Sequence, residues 1–277
     1  MLVQRLARLW GHGRPAVMGI VNVTPDSFSD GGRYLTSGAA VVRGGELVAE
    51  GADIIDVGGE STRPGAAPVT EEVERERVVP VIAALARSAP EALLSVDTSK
   101  ASVAAAALDA GAHMINDVRG GRDRGMLELV ASRGAAVVLM HMRGEPRTMQ
   151  NDTAYGHVVA EVHGALAARR DAALAAGISG GLILLDPGIG FGKDRNANLR
   201  LLAALGDLAA LGQPVVVGAS RKSFVGDLTG AATLGRLAGS LGAIAGAVAL
   251  PRAIVRVHDV AATVQFLTVL AAVRGAA

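Results

Sequence analysis

Residues 93–121 read LLSVDTSKASVAAAALDAGAHMINDVRGG. Two short apolar runs, LLSVDT (93–98) and HMINDV (113–118), flank ASVAAAALDAGA, an Ala-rich segment with helical spacing. Runs this apolar suit strands buried on both faces, which is the habit of a parallel sheet. The stretch is one strand–helix–strand unit, and the same unit recurs on either side of it. Further apolar runs are AVMGIVNV (16–23), DIIDVGG (53–59), AVVLMH (136–141), LILLDP (182–187), PVVVG (214–218) and AIVRVHDV (253–260). Ala- and Leu-rich segments lie between them, such as YGHVVAEVHGALAARRDAALAAG after the fifth run. Strand–helix repeated eight times without a linker or a composition break predicts a closed (β/α)8 TIM barrel, a single α/β domain over 16–277. A doubly wound open sheet is the alternative. Residues 1–15 are an N-terminal extension, read as a lead-in hairpin or a barrel plug.

Composition narrows the function classes. Half of the 277 residues are hydrophobic but only 3% are aromatic, so the core is built from Ala, Val, Leu and Ile. The net charge of +1 argues against broad attraction to nucleic acid or a membrane surface, so any anion must be met by local basic residues. With no cysteine there is no disulfide, no thiolate nucleophile and no Cys-type zinc site. The first fifteen residues carry three Arg and do not read as a secretory signal. LAGSLGAIAGAVAL (237–250) falls short of the roughly 20 residues that span a bilayer and reads as a packed, Gly-rich helix. A cytoplasmic protein is expected.

Active sites of such barrels lie at the C-terminal ends of the strands, so the residues there should be polar. In chain order they are Asn22, Asp56 with Glu60, Asp97, Asn116 with Asp117, His141, Asp186, the Ser220–Arg221–Lys222 trio, and Arg256 with His258. Taken singly, a strand-ending Asp or Asn is more often a helix cap, and Asp186 before Pro187 could cap a turn. Arg256 alone could be a surface ion pair, and His258 a structural histidine. Polar groups on all eight strands are poorly explained that way.

Asp97, Asn116 and Asp186 would suit a flat heterocycle with adjacent N–H donors, such as a 2-amino-4-oxopyrimidine. Arg221, Lys222, Arg256 and His258 follow the last two strands, where barrels often bind phosphate. Asn22 could contribute an amide oxygen to Mg²⁺ whose other ligands are phosphate oxygens and water. TPDSFSDGG (24–32) and GGESTRPGA (58–66) are long loops over the barrel mouth and read as lids. DPGIGFGK (186–193) is not a Walker loop, and neither a Ser-His-Asp order nor an HExxH motif is evident.

Together and in this order, NVTPDSFSDGG, DVGGESTRPGA, SVDTSK, INDVRGG, DPGIGFGK, GASRKSF and RVHDV resemble the blocks of the dihydropteroate synthase family, from about residue 16 to 260. The resemblance implies condensation of a 6-hydroxymethyl-dihydropterin diphosphate with 4-aminobenzoate, giving 7,8-dihydropteroate and diphosphate for folate synthesis. It implies a homodimer whose partners are small molecules, with sulfonamides as inhibitors. By matching motif, Asp97, Asn116, Asp186 and Lys222, with Met140 and Gly218, would hold the pterin. Arg256 and His258 would grip the diphosphate, with Asn22 on Mg²⁺. Phe28, Thr62, Arg63, Pro64, Phe191 and Ser223 would form the aminobenzoate subsite.

The resemblance further implies that Asp97, Lys222, Arg256 and Asp30 carry the chemistry, by dissociative loss of diphosphate before the aniline attacks. Asp26 and Asp30 would fix the folded first loop. Glu145 stands where the family usually has Thr, on a peripheral loop. A pterin methyltransferase working with a corrinoid protein would share the barrel but would not need the diphosphate grip. A non-catalytic pterin-binding paralogue would keep the barrel and the dimer.

Overall fold

The computed structural model describes residues 2–24, 37–62 and 65–276. Eight parallel strands close into a barrel in sequence order. After helix α1 (Leu2–Leu9) come β1 (Ala16–Asn22), α2 (Ser37–Ala49), β2 (Ile54–Gly58) and α3 (Glu71–Ser88). The opening stretch becomes β3 (Leu93–Asp97), α4 (Ala101–Asp109) and β4 (Met114–Asp117), followed by α5 (Met126–Arg133) and β5 (Ala136–Met140). The second half runs α6 (Val158–Ala175), β6 (Ile183–Asp186), α7 (Arg195–Ala203), α8 (Leu205–Ala209), β7 (Val215–Val217) and α9 (Ser223–Thr229). It ends with α10 (Leu237–Ile244), β8 (Ala253–Val257) and α11 (Val260–Gly275).

Each strand lies inside one of the apolar runs, and closure is made by β1 pairing with both β2 and β8. An open sheet is thereby excluded. β2, β3, β4, β5, β6 and β7 are buried at every position, because helices cover one face of the barrel wall and neighbouring strands' side chains fill the other. The segment 237–250 is α10 followed by a 3-10 turn over Ala245–Ala249, in keeping with the packed-helix reading. No helix among the described residues is long and apolar enough to cross a membrane.

The N-terminal segment is a helix, not a hairpin. Leu2, Leu6 and Leu9 fall at i, i+4 and i+7, one face of a helix, and Leu6 and Leu9 are buried against the core. Arg5 donates to the carbonyls of Pro90 (3.2 Å), Glu91 (3.3 Å) and Ala92 (3.1 Å), just before β3. Arg14 pairs with Asp53 at 2.8 Å, and that carboxylate also accepts from the Val17 amide at 2.8 Å. These contacts close the N-terminal end of the barrel, opposite the mouth.

Candidate active site

Side chains alternate between the two faces of each strand, and the register carries that alternation around the barrel. Gly58 pairs with Asn22 and with Asp97, Asp97 with Asn116, and Met140 with Asp186. Asp56 and Arg256 share this inward set, since Ile20 pairs with Asp56 and Met18 with Arg256. A methyl group placed on Gly58 would lie 3.4 Å from Asp97 Cβ and 3.8 Å from Asn22 Oδ1, so Asn22 and Asp97 face each other across a bare backbone.

Arg256 is the hub of the ring. Its Nε donates to Asp56 Oδ2 and its Nη2 to Asp97 Oδ2, both at 2.6 Å. Asp56 Oδ2 also accepts from Asn116 Nδ2 at 2.9 Å, so four side chains from β2, β3, β4 and β8 are hydrogen-bonded into one cluster. Burial pushes the Asp97 carboxyl up to about 7, against the pull of Arg256 and with the push of Asp56. Burial alone would lower Arg256; the facing Asp56 and Asp97 carboxylates outweigh it and hold the guanidinium charged. Asp56 Oδ1 and Ser95 Oγ are buried without a hydrogen-bond partner among the described residues.

The β6 side pairs a carboxylate with two lysines. Asp186 Oδ1 accepts from the Gly188 amide at 2.6 Å, so the turn-capping role and the ring position coexist, and burial raises its pKa. Lys222 lies across Gly190: a Cβ there would sit 3.0 Å from Lys222 Cδ. Its Nζ sits 4.1 Å over the Phe191 ring, and burial, then Arg256, lowers it to about 8. Lys193 is the buried cation of the loop after β6. Its Nζ reaches the carbonyls of Gly188 (3.0 Å), Phe191 (2.8 Å) and His141 (3.3 Å), and His141 Nδ1 at 3.0 Å. Burial lowers Lys193 to about 7, and burial with Lys193 beside it lowers His141 to about 3, so the imidazole is neutral and accepts at Nδ1.

On the β7–β8 side, Ser220 Oγ lies 3.0 Å from His258 Nδ1 and accepts from the His258 amide at 3.3 Å. Burial and the neighbouring Arg221 and Arg256 lower His258 to about 4, so it is a neutral hydrogen-bonding group rather than a cation. Arg221, with φ of 58°, is held by Asp259 through Nε–Oδ2 (3.1 Å) and Nη2–Oδ1 (2.6 Å).

Residues 18–258 match the family model described as pterin binding enzyme. The chain belongs to the dihydropteroate synthase family of pterin-binding enzymes. It is similar to the dihydropteroate synthase of Escherichia coli K12, at 46% identity over 93% of this chain and 91% of the relative. The Xanthomonas albilineans dihydropteroate synthase, solved with 4-aminobenzoic acid, superimposes with a TM-score of 0.88 at 52% identity, covering 94% of this chain and 93% of that one. The Yersinia pestis dihydropteroate synthase, solved as a sulfonamide drug complex, superimposes with a TM-score of 0.90 at 45% identity over 95% of each chain.

Within this family barrel, the sequence-assigned residues are partly brought together. Asn22, Asp97, Asn116, Met140, Asp186 and Gly218 follow the inward alternation, with Arg256 on the last strand and His258 two residues on, just past its end. Thr62 is half-buried on the loop after β2, Phe191 packs on the Val118, Met140, Met142 and Met149 cluster, and Ser223 is exposed at the start of α9. Asp26, Phe28, Asp30, Arg63 and Pro64 lie outside the described residues.

Some expected members of the ring do other work. Asp117 is on the outward face and accepts from the Arg119 (2.8 Å) and Gly121 (2.6 Å) amides. His141 serves Lys193, Arg221 serves Asp259, and Glu60 pairs with Lys100 at 2.6 Å. Glu145 is exposed, as its peripheral reading required. Asp56, given no role from sequence, is central, and the period-two pattern of DIIDVGG would have shown it facing inward.

For Mg²⁺ the donor set is sparse: no group of three His, Cys, Asp or Glu among the described residues could hold a metal. The half-buried Asn22 amide oxygen beside Asp97 fits a cation that brings most of its ligands on a phosphate group and water.

Proposed function

We propose that the chain is a dihydropteroate synthase that joins a (7,8-dihydropterin-6-yl)methyl diphosphate to 4-aminobenzoate, releasing diphosphate and yielding 7,8-dihydropteroate in folate biosynthesis. The observation that carries the reading is the ring in which Arg256 bridges Asp56 and Asp97 beside Asn116, in a chain 46% identical to a named synthase over nearly its whole length. Carboxylates with Asn116 at the barrel floor match the donors and acceptors of a pterin edge, and Lys222 and Asp186 close the same pocket from β6 and β7. Met140 and Gly218 line it without adding charge.

Arg256, His258 and Asn22 would take the diphosphate. Mg²⁺ held there would neutralise charge on the departing oxygens. The methylene C–O bond breaks with its electron pair leaving on diphosphate, and a C–N bond forms from the aniline nitrogen, which then loses a proton. Asp97, which accepts from Arg256 at 2.6 Å, would stabilise the positive charge developing on the pterin methylene. No protein nucleophile is needed. Thr62, Phe191 and Ser223, with Phe28, Arg63 and Pro64, would receive 4-aminobenzoate and its sulfonamide mimics, and Asp30 with Asp26 would order the first loop.

A cytoplasmic homodimer is part of the same reading. The apolar groove lined by Leu199, Leu202, Phe224, Leu228 and Ala243 on α7, α9 and α10, with Leu228 exposed, suits a second copy. The test is product formation from both substrates, with and without Mg²⁺, in wild type and Arg256→Ala. Mg²⁺-dependent dihydropteroate that collapses in the variant supports the reading. A folded wild-type protein that binds pterin but makes no product would refute it.

A further inference from the structure

We infer that Lys100 is a positioning residue that fixes the loop between β2 and α3 over the site and so sets affinity for the second substrate. The inference rests on the synthase reading above. Lys100 directly precedes α4, on the turn that leaves Asp97 at the end of β3. Its ammonium has three hydrogens and meets three acceptors: Glu60 Oε2 at 2.6 Å, Glu74 Oε2 at 2.5 Å and the Val69 carbonyl at 3.0 Å.

Two of those acceptors are the two stems of the loop that carries Thr62. Glu60 stands at its start and Val69 at its end, and Glu60 Oε1 accepts from the Val69 amide at 3.2 Å. One ammonium therefore closes the base of the loop and ties it to the turn that follows Asp97. The third acceptor explains why the tie is rigid. Glu74 is fully buried on the first turn of α3, and Lys100 is its ion-pair partner. A buried carboxylate without its cation is costly, so Lys100 is not free to swing away.

An ion pair that served only to hold α3 would not need Glu60. Arg77 already fastens that helix to the loop's first residue, donating to the Gly59 carbonyl at 2.7 Å. What Lys100 adds is a link between elements: the carboxylate strand β3 on one side, the aminobenzoate loop on the other. The spacing between the two substrates' binding walls depends on that link. Glu60, read from sequence as part of the polar ring, is committed to it instead.

Removing Lys100 alone would leave Glu74 buried and unpaired, so two gentler lesions are informative. Glu60→Ala opens the loop base and leaves Lys100–Glu74 intact. The double variant Lys100→Met with Glu74→Leu removes the clasp and the buried charge together. Lys100→Arg is the conservative control. Steady-state kinetics should give separate KM values for 4-aminobenzoate and the pterin diphosphate, and calorimetry should give the pterin Kd.

Both lesions are expected to raise the aminobenzoate KM about tenfold while the pterin KM, the pterin Kd and kcat stay within about threefold, and Lys100→Arg should recover most of the loss. Equal losses for both substrates, or an unchanged aminobenzoate KM, would overturn the assignment and leave a structural clasp. If wild type makes no product, the synthase reading fails instead. The clasp is then still judged by calorimetric 4-aminobenzoate affinity in the presence of pterin and diphosphate: a drop of about tenfold supports it and no change refutes it.

Discussion

Replacing Arg256 with Met would expose how the ring is balanced in the absence of ligand. The guanidinium makes two hydrogen bonds at 2.6 Å, to Asp56, which is fully buried, and to Asp97, which is nearly so. Removing one partner of a buried pair typically costs about 3–5 kcal/mol, because the charge left behind has no compensation. The Arg256 side chain is 20% exposed, so water takes up part of the deficit and about 3 kcal/mol is the better expectation. The cost should depend on pH. Asp97 is raised to about 7 by burial even with Arg256 in place, and without it the pKa goes higher. A carboxyl whose folded pKa is raised binds a proton in the native state while the unfolded chain, titrating near the ordinary value of 3.8, does not. Stability then falls as pH rises between those values. At pH 6 the variant escapes much of the penalty by protonating, whereas at pH 8 it carries more of it. Urea denaturation of ligand-free wild type and Arg256→Met at both pH values measures this, provided the m-value is unchanged. Adding Asp56→Asn to the variant should recover part of the loss through their coupling. A variant as stable as wild type at pH 8, or one hurt more at pH 6 than at pH 8, would refute the account.

Lys222, lowered to about 8, should lose its charge in mildly alkaline solution, so pterin affinity should fall between pH 7.5 and 9.5, while Lys222→Arg should keep it flat in calorimetric titrations. Gly188 has φ of +67° and a Cβ there would meet the His141 carbonyl oxygen at 1.9 Å, so Gly188→Ala should cost about 4 kcal/mol or more and appear as loss of soluble protein. Leu6→Ala should lower stability by about 2–3 kcal/mol through a cavity under the barrel, with both KM values unchanged; altered KM values would mean that α1 does more than close the far end.

The barrel was legible because buried parallel strands leave a strong mark: short runs rich in Val, Ile and Leu with polar residues at or just beyond their C-terminal ends. LLSVDT, for example, became Leu93–Asp97 with every position buried. The inward set could be read from the same runs, since strand alternation puts Asp56 on the face of Gly58 and sends Asp117 to the face opposite Asn116. What composition could not disclose is which charged groups satisfy one another. Arg221, His141 and Glu60 all stand at strand ends and all looked available. Their partners, Asp259, Lys193 and Lys100, each lie beyond the end of the next strand, a neighbour that only the pairing of the strands brings alongside. The N-terminal helix was missed for a local reason: Arg5 and Arg8 within it obscured the Leu2, Leu6 and Leu9 stripe that packs it against the barrel.

The pairings within the ring bear on how a substrate with a pterin at one end and a diphosphate at the other would be received. Arg256 cannot serve Asp56, Asp97 and a diphosphate with equally good geometry. Under the proposed assignment, pterin N–H groups arriving at Asp97 replace the hydrogen bond that Arg256 makes there, and the guanidinium is then free to turn toward the diphosphate while Asn116 keeps Asp56 hydrogen-bonded. Each end of the substrate thus improves the site for the other, and neither pterin nor diphosphate alone should bind as tightly as the sum of its contacts suggests. Asp56, which touches neither end in this scheme, is what keeps Arg256 at the ring until the substrate arrives.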